Sequence, residues 1–261
     1  MKKRPLILIA NDDGITSKGI KFLVSVMKEL GDVVVVAPDS PQSGQGHAIT
    51  IEDPLRYHSS DIFPEENVSA YQCSGTPADC VKLAKNHILE TLPDLVVSGV
   101  NHGSNTSVSV LYSGTMSAAL EAAIEGLPSI GFSVCDYGFD AEFEHTRSFV
   151  KQIAEKVLKE GMPKGVAWNV NFPKIGTEPI KGLKVCRQAD GKWQEQFDER
   201  VNPVGKKYLW LTGKFVNRDT GSDTDEWAIN NNYGSIVPTQ IDMTAHEYRL
   251  KLAEKVAEEG F

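Results

Sequence analysis

The chain predicts a doubly wound α/β fold, and three observations carry that prediction. Short apolar runs alternate with amphipathic stretches through roughly its first 175 residues. The first run, Leu6-Ile7-Leu8-Ile9-Ala10, is rich in Leu and Ile and ends in Asn11-Asp12-Asp13-Gly14, as a strand buried on both faces does. Further Gly/Ser-rich turns follow later strands. Strands alternating with helices imply a mainly parallel, Rossmann-like sheet with right-handed crossovers.

The expected strands are Leu6–Ala10, Val33–Ala37, Ala70–Cys73, Asp94–Ser98, Ser129–Ser133 and Val166–Asn171. Between the first two, Ile20, Leu23, Val24, Met27 and Leu30 keep the 3.6-residue period of a helix. A second helix starts at Thr76 as cap, Pro77 at its first position and Asp79 at its third, with Val81, Ala84, Ile88 and Leu92 on its apolar face. Met116–Ile124 is almost wholly apolar or small and therefore a buried helix. Phe149, Val150, Ile153, Ala154, Val157 and Leu158 mark another helix. Residues 39–68 break the rhythm with Pro41, Pro54 and Pro64, and read as an excursion with a hairpin through His47–Ile51. Beyond Pro173, Leu183–Arg187, Lys207–Val216 and Ser235–Val237 read as strands, and Thr244-Ala245-His246-Glu247 as a capping box opening a helix to Glu259. The expected division is a Rossmann-like domain over residues 1–180. Residues 181–261 form a smaller α+β part for oligomerisation, exchanged between subunits or packed on the core.

Composition bounds the function. With 27 basic and 35 acidic residues the net charge is −8, which argues against general affinity for nucleic acid or an anionic membrane. No apolar stretch reaches the length of a membrane span, and Met1-Lys2-Lys3-Arg4 leads into a run too short for a signal h-region. Cys73, Cys80, Cys135 and Cys186 show no C-x-x-C spacing and read as free, mostly buried thiols of a cytoplasmic protein. A Walker A lysine, a G-x-G-x-x-G after the first strand and a G-x-S-x-G elbow are all missing from the sequence.

The chemistry gathers at the strand ends. In a parallel sheet the carboxyl ends share one rim, where ligands bind. Asp12 and Asp13 fall there, and adjacent carboxylates repel unless protonated, solvated or neutralised by a cation; hard oxygen donors suit Mg²⁺, Mn²⁺ or Ca²⁺. Taken alone, the turn reads equally as solvated. Ser43 and Gly44 follow the second strand, and Asn101 and Asn105 lie in a Gly/Ser/Asn loop where they ligate a metal, bind phosphate or hold a turn. Ser113-Gly114-Thr115 opens a buried helix whose dipole favours an anion, or is an ordinary N-cap. His47 and His102 are candidate acids for a leaving alkoxide or phosphate ligands, or loop histidines without a role.

Asn11-Asp12-Asp13-Gly14, Ala37-Pro38 with Gln42-Ser43-Gly44, Gly75-Thr76-Pro77-Ala78-Asp79, Ser98-Gly99-Val100-Asn101-His102-Gly103 and Tyr112-Ser113-Gly114-Thr115 resemble, in order, the motifs of the stationary-phase survival protein SurE family of metal-dependent 5′-nucleotidases. Ser222-Asp223-Thr224-Asp225 and Ser235–Asp242 are similar too. They depart at Ser222 and Asp223 from a Gly-Thr-Asp-like turn, so no substrate role is carried onto Asp223 or Asp225. His47 stands where many relatives carry a small polar residue. The resemblance implies one divalent cation, Mg²⁺ or Mn²⁺, held by Asp12, Asp13, Ser43 and Asn101, and a homodimer or dimer-of-dimers. It further implies hydrolysis of nucleoside 5′-monophosphates, with 3′-nucleotides and short polyphosphate as further substrates. On that reading Asp12 or Asp13 acts as base toward metal-activated water, and Asn11, Gly44, Asn105, Ser113, Gly114 and Thr115 bind phosphate or substrate. Two alternatives stay open: an aspartyl-phosphate phosphatase, which wants Asp-x-Asp rather than adjacent carboxylates, and a non-catalytic nucleotide sensor on the same fold.

Overall fold

Residues 4–138 and 140–260 are described by the structure, a computed structural model; Met1, Lys2 and Lys3 of the N-terminal expectation lie outside them. Eleven strands are β1 (Leu6–Ala10), β2 (Asp32–Pro38), β3 (Tyr57–Ser59), β4 (Val68–Cys73), β5 (Leu95–His102), β6 (Ser129–Cys135), β7 (Val166–Pro173), β8 (Leu183–Val185), β9 (Gly191–Val201), β10 (Lys207–Asn217) and β11 (Gly234–Gln240) among those residues. The helices are α1 (Lys18–Met27), α2 (Pro77–Leu83), α3 (Gly114–Ile124), α4 (Arg147–Glu160), α5 (Asp225–Asn230) and α6 (His246–Glu259).

One sheet runs β3-β4-β2-β1-β5-β6-β7-β11-β8. The six strands from β4 to β7 are parallel. Taken in chain order, β1, β2, β4, β5, β6 and β7 lie as 3-2-1-4-5-6, the dinucleotide-fold order, whose switch point falls between β1 and β5. The strand order reverses there, so the chains leaving β1 and β5 diverge and open a crevice.

Alternation along each strand explains why both faces are covered. Ile7, Ile9, Val33 and Val35 pack with Ile20, Leu23 and Met27 of α1 and with Val150, Ile153 and Val157 of α4. Leu8, Ala10, Val36 and Val96 pack on the other face with Cys80 and Val81 of α2 and Ala118 and Ala122 of α3. Apolar residues at every position of β1 are therefore required, which is why the run read as a buried parallel strand.

Three local expectations are corrected. Residues 47–51 form no hairpin. The excursion runs irregularly to β3, which pairs antiparallel with β4. Its anchors are side chains rather than a ladder: Thr50 donates from N–H and Oγ1 to Asp79, and Thr76 Oγ1 donates to the Ala48 carbonyl at 2.7 Å. The second helix stops at Leu83 and passes into a π turn over Ala84–Ile88 instead of continuing to Leu92. The capping box at Thr244 does not form. Ala245 is the N-cap, because Asp242 captures Thr244 N–H at 2.9 Å and His246 Nε2 at 2.8 Å.

Beyond β7 the chain adds β11 and β8 to the sheet, with β11 antiparallel to β7. The β9–β10 ribbon is a separate two-stranded sheet, and α6 buries no residue. No described helix is long and apolar enough to cross a membrane.

Candidate active site

Two carboxylates emerge at the switch point because β1 ends there. Asp12 is 4% exposed, so its charge is nearly stripped of water. Burial first, and then the charge of Asp13, pushes its carboxyl up to about 6. Thr115 offsets this by donating Oγ1–H to Asp12 Oδ1 at 2.5 Å. Asp13 meets His102, whose Nδ1 lies 3.2 Å from its Oδ2.

The turn itself is locked by Asn11, whose Nδ2 donates to the Gly14 carbonyl and to Ser17 Oγ, each at 2.9 Å. Its Oδ1 is buried without a partner among the described residues. Gln42 N–H donates to the Asp12 carbonyl at 2.8 Å and thereby brings the Ser43-Gly44 loop to the end of β1.

From the neighbouring strand β5 comes Asn101. The β5–β6 register shifts between Ser98 and Asn101. Asn101 Nδ2 donates to the Gly103 carbonyl at 2.9 Å, and no donor among the described residues takes up its Oδ1.

The helix α3 starts against Asp12. Ser113 Oγ caps it by accepting Met116 N–H at 3.0 Å. A Cβ on Gly114 would lie 2.6 Å from Asp12 Cβ, so only glycine permits the approach. Thus the hydroxyls of Ser113 and Thr115 are both engaged within the protein.

These elements enclose a groove of about 290 Å³ lined by Asp12, Ser43, Gly44, Asn101, His102, Asn105 and Ser113. Asn11, Gly114 and Thr115 stand behind that lining. Six further lining residues carried no site expectation: Gly103, Ser104, Ser109, Tyr112, Tyr137 and Trp193. Tyr112 lay inside a quoted motif, and Trp193 was visible only as an isolated aromatic in a polar run. Its Nε1–H donates to Ser109 Oγ at 3.2 Å.

Asn105 belongs to a buried amide network. Its N–H donates to Asn171 Oδ1 at 2.9 Å and its Nδ2 to Ser133 Oγ at 2.8 Å. Asn169 Nδ2 returns to the Asn105 carbonyl at 2.8 Å.

His47 lies elsewhere, with Nε2 3.0 Å from Glu121 Oε2, while Lys82 Nζ reaches Glu121 Oε1 at 2.6 Å. Burial raises the Glu121 carboxyl, but those two partners outweigh it and hold the group below its usual range. His47 lines a second, mostly apolar groove of about 800 Å³ together with Leu111, Leu120, Ile124 and Met243, which adjoins the first at Ser113. Asp12 lines the smaller groove, whereas its neighbour Asp13 is not part of that lining.

A cation fits the smaller groove by its donors. Among the described residues no cluster of three or more His, Cys, Asp or Glu forms, so any cation here relies on two carboxylates plus hydroxyl and amide oxygens. That oxygen set suits Mg²⁺ or Mn²⁺, and it would relieve the repulsion that burial imposes on Asp12. All four cysteines are free, and burial pushes the Cys80 and Cys186 thiols up and Cys135 up to about 12.

Residues 7–195 match the family model described as Survival protein SurE. A protein of Cytophaga hutchinsonii named 5′-nucleotidase SurE is 63% identical over 245 residues, covering 94% of each chain. One of Phocaeicola vulgatus with the same name is 43% identical over 246 residues, again covering 94% of each. The crystal structure of the SurE protein from Aquifex aeolicus superposes with a TM-score of 0.80 at 39% identity, covering 97% of this chain and all of that one.

Proposed function

The chain belongs to the SurE family, and on that membership we propose that it is a 5′-nucleotidase, a divalent-cation-dependent hydrolase of nucleoside 5′-monophosphates. The observation that carries the finer reading is the Asp12–Asp13 pair at the switch point, Asp12 buried and Asp13 half-buried, with Asp12, Ser43 and Asn101 on one groove.

Asp12, Asp13, Ser43 and Asn101 would hold the cation. When bound, it supplies Lewis-acid polarisation of the phosphate and lowers the pKa of water. Thr115 orients Asp12, and Asp12 or Asp13 takes up the proton of the attacking water. The α3 N-terminus at Ser113 and the amide of Asn105 favour the negative charge that develops on the phosphoryl oxygens. His102, held by Asp13, is placed to give a proton to the leaving alkoxide.

The reading extends to 3′-nucleotides and short polyphosphate as further substrates. Residues 1–180 form the catalytic domain and residues 181–261 the oligomerisation part of a homodimer or dimer-of-dimers. The exposed apolar residues of the β9–β10 ribbon and of α6 support that assembly. Four free thiols support a cytoplasmic setting.

The test is phosphate release from 5′- and 3′-nucleoside monophosphates in EDTA and after Mg²⁺ or Mn²⁺ is restored. Release abolished by chelation and recovered with metal is expected. Nucleotide binding without turnover under every metal would replace the enzyme by a sensor.

A further inference from the structure

Asp225, the first residue of α5, is completely buried. Its carboxylate accepts three backbone N–H groups: Ser107 on Oδ2 at 2.8 Å, and Ala189 at 3.0 Å and Glu226 at 2.8 Å on Oδ1. No ion pair forms to it among the described residues. Three donors on two oxygens call for a group that only accepts, and a buried charge persists only when so bonded.

Ser107 is the reason the contact matters. Its φ of 51° is left-handed, a conformation that a residue with a side chain adopts at a cost and keeps only when its surroundings over-determine it. Here they do. Besides the bond to Asp225, Ser107 Oγ donates to the Ala189 carbonyl at 2.8 Å and accepts Gly191 N–H at 2.9 Å.

Residues 187–191 are themselves strapped to the segment before α5. Arg187 N–H donates to the Asp223 carbonyl and Asp225 N–H to the Arg187 carbonyl, both at 3.0 Å. The segment on either side of Ser107 supplies Asn105, Ser109, Tyr112 and Ser113 to the groove, whereas Asp12, Ser43 and Asn101 come from other segments. One wall of the groove is thus bent at a strained residue and braced from the C-terminal part of the chain.

We propose that Asp225 is a positioning residue: by holding the turn at Ser107 it sets the substrate-facing wall Asn105–Ser113, independently of the cation site. This rests on the nucleotidase reading above.

The experiment compares Asp225→Asn and Ser107→Gly with the wild type, measuring kcat and KM for AMP and the Mn²⁺ concentration that half-activates. In Asp225→Asn an NH₂ group replaces one acceptor and opposes a backbone N–H. Ser107→Gly keeps the N–H that Asp225 binds, accepts the left-handed φ without strain and loses only the hydroxyl ties, so it folds even where the first variant does not. Expected are a rise in KM of about tenfold or more for Asp225→Asn and of roughly threefold or more for Ser107→Gly, with half-activating Mn²⁺ moved less than about twofold. A purely structural residue would lower the melting temperature and the active fraction while KM stayed constant. KM within about twofold of wild type in every variant that folds overturns the proposal.

Turnover by the wild type tests the nucleotidase reading separately. If the wild type does not turn over, amide hydrogen exchange decides. Exchange at residues 107–112 that quickens in a variant while β1 and β5 keep their protection supports the brace, and unchanged protection there overturns it.

Discussion

Asp12 carries a charge in a place that favours the neutral form. Its folded pKa of about 6 lies above the ordinary 3.8, so the native state binds the proton more tightly than the unfolded chain. The stabilising contribution of this group is therefore full below about pH 4 and lost as pH rises through about 6, leaving a deficit on the order of 2–3 kcal/mol near neutrality. Removing the charge should stabilise the metal-free protein and destroy its chemistry. In EDTA near pH 7, Asp12→Asn is expected to melt above the wild type, with the gap closing toward pH 5. Saturating Mn²⁺ is expected to reverse the order, because only the wild type keeps both carboxylates. Calorimetry across that pH range checks both, and a variant that melts below wild type in EDTA at neutral pH refutes the account.

Elements matter here through how their ends meet. The α3 start abuts the end of β1 because Gly114 has no side chain, and an added Cβ would sit 2.6 Å from Asp12 Cβ. Both elements are buried in the core, so the carboxylate must yield. Gly114→Ala is expected to lower kcat/KM by about a hundredfold, measured on a nucleoside monophosphate, while the protein still folds cooperatively. The α2 start does a different task. Thr76 accepts Asp79 N–H at 3.2 Å, Asp79 accepts Thr76 N–H at 2.9 Å, and both also hold the irregular excursion. Thr76→Ala should cost roughly 1–2 kcal/mol by denaturant titration and open residues 39–56 to proteolysis. Resistance equal to wild type would mean that the other anchors of the loop suffice.

At the scale of the whole molecule, the sheet is closed on both faces while the β9–β10 ribbon stands apart. Leu209 and Leu211 share one face of β10 and Tyr208 and Trp210 the other, and all four are exposed. A two-stranded ribbon is marginal in water by itself, and apolar residues on both of its faces are what the proposed assembly would cover. Leu209→Asp with Leu211→Asp is expected to reduce the mass seen by light scattering to that of one chain. A wild type that already runs as a monomer would end that reading.

Much was legible in the sequence because it is locally encoded. β1 matched at both ends, and the other central strands matched within a few residues, because double-sided burial demands unbroken apolar runs. That the Asp12–Asp13 turn, the Ser43-Gly44 loop, Asn101 and Ser113 share one rim was legible because parallel strands bring their carboxyl ends together, although each piece alone also reads as an ordinary turn or cap. The ribbon strand β9 was not: in Gly191–Val201 the apolar residues Trp193, Phe197 and Val201 recur only every fourth position among charged and polar ones, too sparse for the alternation that marks a strand. His47 pairs with Glu121, and Thr115 with Asp12 across 103 positions, contacts that no local pattern encodes.

The sequence by itself determined the strand–helix alternation, the parallel core and the residue types at the rim, since burial and turn chemistry act on neighbours along the chain. Only the tertiary structure decided that β1 and β5 lie side by side, that Asp12 is buried against Gly114, and that Asp225 braces Ser107 from 118 positions away. Such contacts depend on strand order and close packing, and those arise when the whole sheet has assembled.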